Sequence, residues 1–323
     1  MNCLDGLILR WLWVTLNCDL NGSVMAFSFP KKITIFVRVA EESDDQVRLF
    51  FSTLQTQNCP SELEWLVVYQ GVDPAKMNLL KKYEFAVLSH IEADDFSLGA
   101  LLNWVMASSS CDWVLALTPA HVPKCSDWLT ALLRYASNVK RFGVAFLSEN
   151  QNAWPQGRWF EDVIRLHPLG LHECNLDACL MHKHAWKGCS FRQDLECAEG
   201  YVWSVHICQK GYSVDSVGRA LRLLPPSQIT LKDRFWNARA EACAVGYALS
   251  DFILCPSLWR LVVLGLLKDI VIGGKLLLRK LRGIAYLKLL CASIAVRLGA
   301  YAGVMDGLRE ASLKMNKRAK HRH

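Results

Sequence analysis

The sequence predicts an α/β fold with a mostly parallel sheet, and three observations carry that prediction. Short apolar, β-branched runs of strand length alternate with segments whose apolar residues recur at helical spacing. The alternation continues from about residue 31 to residue 224, with no internal repeat or low-complexity stretch. A chain of 323 residues that is 52% hydrophobic is large enough to bury a substantial core without a disulfide or metal staple.

Ile33–Val37 reads as a buried strand, and Val47, Phe50, Phe51 and Leu54 then mark the apolar face of a helix spanning Ser43–Thr56. Glu64–Val68 is the second strand, broken by Gly71 and Pro74 before a helix over Lys76–Tyr83. Phe85–Ile91, a helix over Leu98–Ser108 and the strand Trp113–Leu117 follow, the last ending at Thr118-Pro119. Trp128–Tyr135 is helical and Phe142–Phe146 extended, while Trp154–His172 is irregular. The short segment Ala178–Met181, a loop, the helical stretch Gly200–Lys210 and a strand from Tyr212 complete the series. Pro225-Pro226 is the clearest linker signal, and beyond it the chain turns helical and basic. The expected divisions are an N-terminal extension (1–30), the α/β domain (31–224) and a helical appendage (225–323).

The 13 cysteines form no C-x-x-C pair, and an odd number cannot all pair internally, so they read as reduced thiols of a cytosolic protein. His172, Cys174, Cys179, His182 and His184 are potential zinc ligands lying close in sequence, yet their spacing matches no finger or ribbon. Residues 7–17 are apolar but interrupted by Arg10, which argues against a secretory signal. No uninterrupted apolar run approaches the roughly 18 residues of a membrane span. Met25 opens a natural domain start, leaving residues 1–24 as either a loosely ordered extension or the product of a misplaced start codon.

Five stretches carry a more specific signal. Phe36-Val-Arg-Val-Ala-Glu-Glu42 and Leu66-Val-Val-Tyr-Gln-Gly71 close the first two strands, and Phe96-Ser-Leu-Gly-Ala-Leu-Leu-Asn103 opens a helix. Trp113-Val-Leu-Ala-Leu-Thr-Pro-Ala-His-Val-Pro123 is followed by Asp127-Trp128-Leu129. Last come Ala185-Trp186, the run Phe191–Trp203 and Gly211-Tyr212. In order and frame these resemble the (I/V)-R-x-K-N-E-E, V-V-D-D-G, F-x-x-G-x-A-L-N, D-x-D and E-D-x-x-W motifs of bacterial family 2 glycosyltransferases, in particular rhamnosyltransferase-like members that build surface polysaccharides.

The resemblance implies a Rossmann-like GT-A domain that binds a nucleotide-sugar above the carboxyl ends of its strands, with a glycan or lipid-linked acceptor. It implies nucleotide contacts from Arg38, Glu41, Glu42, Tyr69, Gln70 and Asn103. It also exposes what is missing. The family's D-x-D carboxylates hold Mg2+ or Mn2+ on the leaving diphosphate, but here the triplet is Thr118-Pro119-Ala120, with His121 adjacent. No metal cofactor is therefore expected. The catalytic-base position is Gly200, which leaves Glu199 as a displaced base.

Charge is segregated. Residues 258–323 hold 14 Lys or Arg against 3 Asp or Glu, a balance of +11 that leaves −4 for the rest of a chain whose net charge is +7. Arg260, Lys268, Lys275, Arg279 and Arg282 fall on one arc of roughly 100° in a helical projection, the profile either of basic amphipathic helices lying on an anionic membrane or of a helical appendage packed on the α/β domain with a solvated basic face. The segment is too apolar, and too poor in aromatics between its charges, for nucleic acid. Two roles compete: a transferase whose metal and base are replaced by other side chains, or an inactive homologue that scaffolds a partner glycosyltransferase, peripheral on the cytoplasmic face of the cell membrane. Charge bookkeeping leans to the second, because no Lys or Arg stands in the D-x-D strand.

Overall fold

The computed structural model describes residues 29–40, 42–83, 87–91, 97–123, 125–148, 176–195, 197–218, 221–223, 230–249, 263, 266–267 and 283–320. Met25, Glu41, Phe96, the 154–172 stretch, His172, Cys174, Pro225-Pro226 and the five arginines and lysines of the 260–282 arc lie outside the described residues.

The first half of the fold is a run of strand–helix units: β1 (Lys32–Val39), α1 (Asp44–Gln55), β2 (Glu62–Gln70), α2 (Pro74–Leu80), β3 (Val87–Ile91), α3 (Leu98–Ser108) and β4 (Trp113–Leu117). Local chemistry sets these starts. Ser43 and Gln46 form a capping box on α1, and Asp73 caps α2 with Pro74 in its first turn. The second half contains β5 (His121–Pro123), α4 (Trp128–Asn138), β6 (Phe142–Ser148), β7 (Cys179–His182), α5 (Lys183–Gly188), α6 (Glu199–Gln209), β8 (Ser213–Gly218) and β9 (Leu221–Leu223). Two helices, α7 (Leu231–Ala248) and α8 (Gly283–Lys320), follow.

Seven strands form one sheet in the order β3-β2-β1-β4-β7-β6-β8, and β5 pairs with β9 in a separate two-stranded sheet. All pairings in the large sheet are parallel except those of β7, which runs antiparallel to both β4 and β6. That strand and the β5–β9 pair depart from the expected simple alternation. Both depend on partners distant in sequence, so no local periodicity marks them.

Alternation along β1, β2 and β4 sends Ile35, Val37, Val67, Leu115 and Leu117 into a core closed by α1 and α4. Phe36, Val68, Val114 and Ala116 point into a second core closed by α3 and α6. The four apolar positions read from the sequence on α1 are all buried. The motif residues Phe191 and Trp203 belong to the second core.

α7 and α8 lie parallel, because Gly299, Gly303 and Gly307 each face a backbone carbonyl of Phe235, Arg239 and Cys243 in turn. A Cβ at Gly303 would sit 2.1 Å from the Arg239 carbonyl oxygen. The pair packs Ala238, Ala242 and Val304 against Val202 and Val205 of α6, so it braces the helix that opens with Glu199. Gly303→Ala is expected to cost about 2–3 kcal/mol through overpacking, read as a lower urea midpoint with an unchanged m-value. A wild-type midpoint would contradict the close helix approach. Arg297, counted with the basic tail, is only 2% exposed.

Candidate functional site

The carboxyl ends of the central strands gather the polar residues of interest. β4 is the middle strand of seven, and the chain leaves it through a tight turn in which the His121 amide donates to the Thr118 carbonyl at 2.9 Å. Pro119 occupies the second turn position, which its fixed φ suits. The Thr118 hydroxyl lies 2.9 Å from His121 Nδ1, and both residues are buried. His121 is thus a buried residue of the turn and not an exposed loop histidine. Burial holds its basicity below the usual range, opposed by the negative charge of Asp177.

Arg38 comes from the end of β1. One terminal nitrogen donates to Asp177 Oδ1 at 2.7 Å, and the other reaches Gln70 Oε1 at 3.4 Å. Asp177 lies two residues ahead of the start of β7, where Cys179 stands opposite Ala116, so Asp177 lies level with Thr118. β1 and β7 both flank β4, and two strand spacings amount to about 9–10 Å. The Arg38–Asp177 pair therefore spans the end of β4 at Thr118. Sequence reasoning missed Asp177 altogether, since it follows an irregular stretch and belongs to none of the five motifs.

Glu199 is the first residue of α6, placed there by Ala198, whose φ of 61° is left-handed and costs an alanine about 1 kcal/mol. The carboxyl is buried, one of its oxygens lacking any hydrogen-bond partner among the described residues. Burial raises its pKa and the charge of Asp177 adds to this, whereas the amides of Glu199 and Gly99 and the charge of Arg38 act the other way. Gly99 is at the start of α3, so this carboxyl is held near two helix N-termini. Gly200 is the next residue of α6 and is also buried.

The other sequence candidates separate. Gln70 joins the cluster through Arg38, but Tyr69 points to the opposite face of the sheet, where its ring is buried and its hydroxyl accepts from the Asp73 amide at 2.9 Å. Glu42 accepts from the Ala40 amide at 2.7 Å and closes the end of β1. The Asn103 carboxamide accepts from Trp186 Nε1 at 2.8 Å and the Phe191 amide at 3.0 Å, and donates to the Phe191 carbonyl at 2.9 Å. It clamps the loop before α6 onto α3. Of the zinc candidates, Cys179 is buried in the second core, and His182 packs edge-on to Trp113.

A divalent cation does not fit the donors that the described residues bring to this strand end. Thr118, Pro119 and Ala120 offer no carboxylate, and Asp177, level with Thr118 on the neighbouring strand, is paired with a guanidinium that would repel an ion. Among the described residues no three His, Cys, Asp or Glu side chains gather to hold a metal.

Sheet order and the single antiparallel strand within it are those of a GT-A glycosyltransferase fold. Among solved structures, the chain is similar to the mannosyltransferase PcManGT from Pyrobaculum calidifontis, in complex with GDP-Man and Mn2+, with a TM-score of 0.58 at 12% identity over 93% of this chain and 95% of that one. TarS residues 1–349 from S. aureus superimpose with a TM-score of 0.46 at 14% identity, covering 88% of this chain and 92% of that one. No protein-family model matches the sequence, and a search of curated proteins finds no match.

Proposed function

We propose that this chain is a glycosyltransferase-like protein of surface-polysaccharide assembly that binds a nucleotide-sugar at the carboxyl ends of β1, β2 and β4. The observation that carries this reading is the convergence of Arg38, Gln70, Thr118, His121, Asp177 and Glu199 at that end of the sheet. The mannosyltransferase of similar fold holds GDP-Man, which makes a nucleotide-sugar the ligand to test first.

Sugar transfer needs positive charge at the leaving diphosphate and a group to take the acceptor proton. Both roles have a stand-in on one face of the sheet, a guanidinium for the first and the buried Glu199 carboxyl for the second. This favours a slow transferase in which Glu199 is the base. The scaffold reading draws on Gly200, which has no side chain to accept a proton, and it assigns the chain a partner glycosyltransferase instead.

Membrane association is part of the proposal. The +11 balance of residues 258–323 and the exposed Leu298, Met305 and Leu313 of α8 support a peripheral position on an anionic, cytoplasm-facing surface. No described helix is long and apolar enough to cross a membrane.

Calorimetric titration with a panel of GDP- and UDP-sugars tests the ligand class. Stoichiometric, saturable binding of at least one sugar nucleotide is expected. Absence of binding across the panel, with and without Mn2+, would remove the nucleotide-sugar reading and leave the scaffold.

A further inference from the structure

We propose that the Arg38 guanidinium replaces the divalent cation of related enzymes, and that Asp177 is a counter-ion displaced from it by the diphosphate of the incoming nucleotide. The inference rests on the nucleotide-sugar reading above.

Position is the first argument. The ion pair crosses the end of β4 at Thr118, the place where the family's metal-binding carboxylates would stand. Although no cation is encoded in the β4 segment itself, the neighbouring strand brings one over it. Chemistry is the second. A planar guanidinium presents several N–H donors in a fork that matches phosphate oxygens and stays charged at any physiological pH. The triplet beneath it carries no acid to compete for that charge.

Availability is the third argument. The Arg38 and Asp177 side chains retain 25% and 27% exposure, so the pair is reachable from solvent, and ion pairs open to water exchange readily. The Arg38 Nε–H is buried without a hydrogen-bond partner among the described residues, so Asp177 and Gln70 leave the donor capacity of the guanidinium unfilled. In this arrangement Asp177 balances the charge of the guanidinium and holds it over the strand end. A bound diphosphate then takes over the charge-assisted hydrogen bonds, and Asp177 returns to water.

Isothermal titration of the full chain with UDP and GDP, each in EDTA and in Mn2+, separates the possibilities. Wild-type affinity is expected to be the same in both buffers. Arg38→Gln should weaken it by about ten- to a hundredfold, the scale of charged hydrogen bonds to an anion. Asp177→Asn should tighten it by about two- to fivefold, since it removes an exposed competitor. The opposite signs are diagnostic, because a purely structural pair would lose affinity when either partner is changed. Thermal melts confirm folding, and Asp177→Asn, which preserves shape, still decides the question if Arg38→Gln fails to fold. Binding that requires Mn2+, survives Arg38→Gln or weakens in Asp177→Asn overturns the Arg38 assignment alone. Absence of any nucleotide or nucleotide-sugar binding overturns the parent reading with it.

Discussion

On the transferase proposal, Glu199→Gln is expected to lower sugar transfer by about 10²–10⁴-fold while leaving nucleotide-sugar affinity near the wild-type value, the loss that removal of a general base brings. The amide keeps the shape of the side chain and its place at the start of α6, but it cannot take the acceptor proton. A pH signature accompanies the kinetic one. Burial raises the Glu199 pKa above its ordinary value of 4.5, so the folded chain keeps this proton to higher pH than the unfolded chain. The resulting stabilisation is fully present below about pH 4.5 and is lost as pH rises through the folded-state value. Glu199→Gln should therefore raise Tm at neutral pH, with the difference fading toward pH 4.5. His121 slopes the other way: its lowered pKa means that the unfolded chain gains a proton first as pH falls below 6.5, which costs stability. Subtracting the wild-type curve from that of the variant isolates Glu199. Scanning calorimetry between pH 4 and 8, paired with a radiolabelled transfer assay, reads both effects. A variant that transfers sugar at the wild-type rate would rule out Glu199 as the base.

Trp203→Ala should cost about 3–5 kcal/mol in equilibrium unfolding, the range for deleting a buried aromatic side chain. Trp203 is 2% exposed, its ring centroid lies 4.5 Å from that of Phe191, and its Nε1–H donates to the Cys189 carbonyl at 2.6 Å. Alanine would leave a cavity in the second core and an unsatisfied carbonyl beside it. The damage would fall on the loop ahead of α6, and hence on the position of Glu199. Guanidinium denaturation provides the measurement, and Trp203→Phe, which retains most of the apolar volume, should cost clearly less. Wild-type stability in Trp203→Ala would mean that this tryptophan serves an acceptor rather than the core.

The comparison of Tyr69 with Gln70 illustrates what was legible. Both belong to a motif that implies nucleotide contact, and the period of two in a strand guarantees that they point to opposite faces. Which face looks onto the site depends on where α3 and α6 pack, which is not a local property. The structure turns Gln70 toward Arg38 and buries Tyr69 on the other side. Asn103 has a similar history: its helix was legible, but its bonds to Trp186 and Phe191 join segments more than 80 residues apart.

By itself the sequence determined the order of strands and helices through β4, the burial of Ile33, Val37, Phe50 and Leu54, the placement of Thr118–His121 at a strand end, and the absence of a carboxylate from Thr118-Pro119-Ala120. Periodicity and composition act over a few residues, and these features are of that range. Only the tertiary structure decided that β7 inserts antiparallel beside β4, that Asp177 consequently meets Arg38 across the end of that strand, and that α7 and α8 run parallel on a seam of glycines. Each of those depends on strand register or on backbone approach between distant segments, where the energy comes from complementary surfaces that no short window of sequence contains.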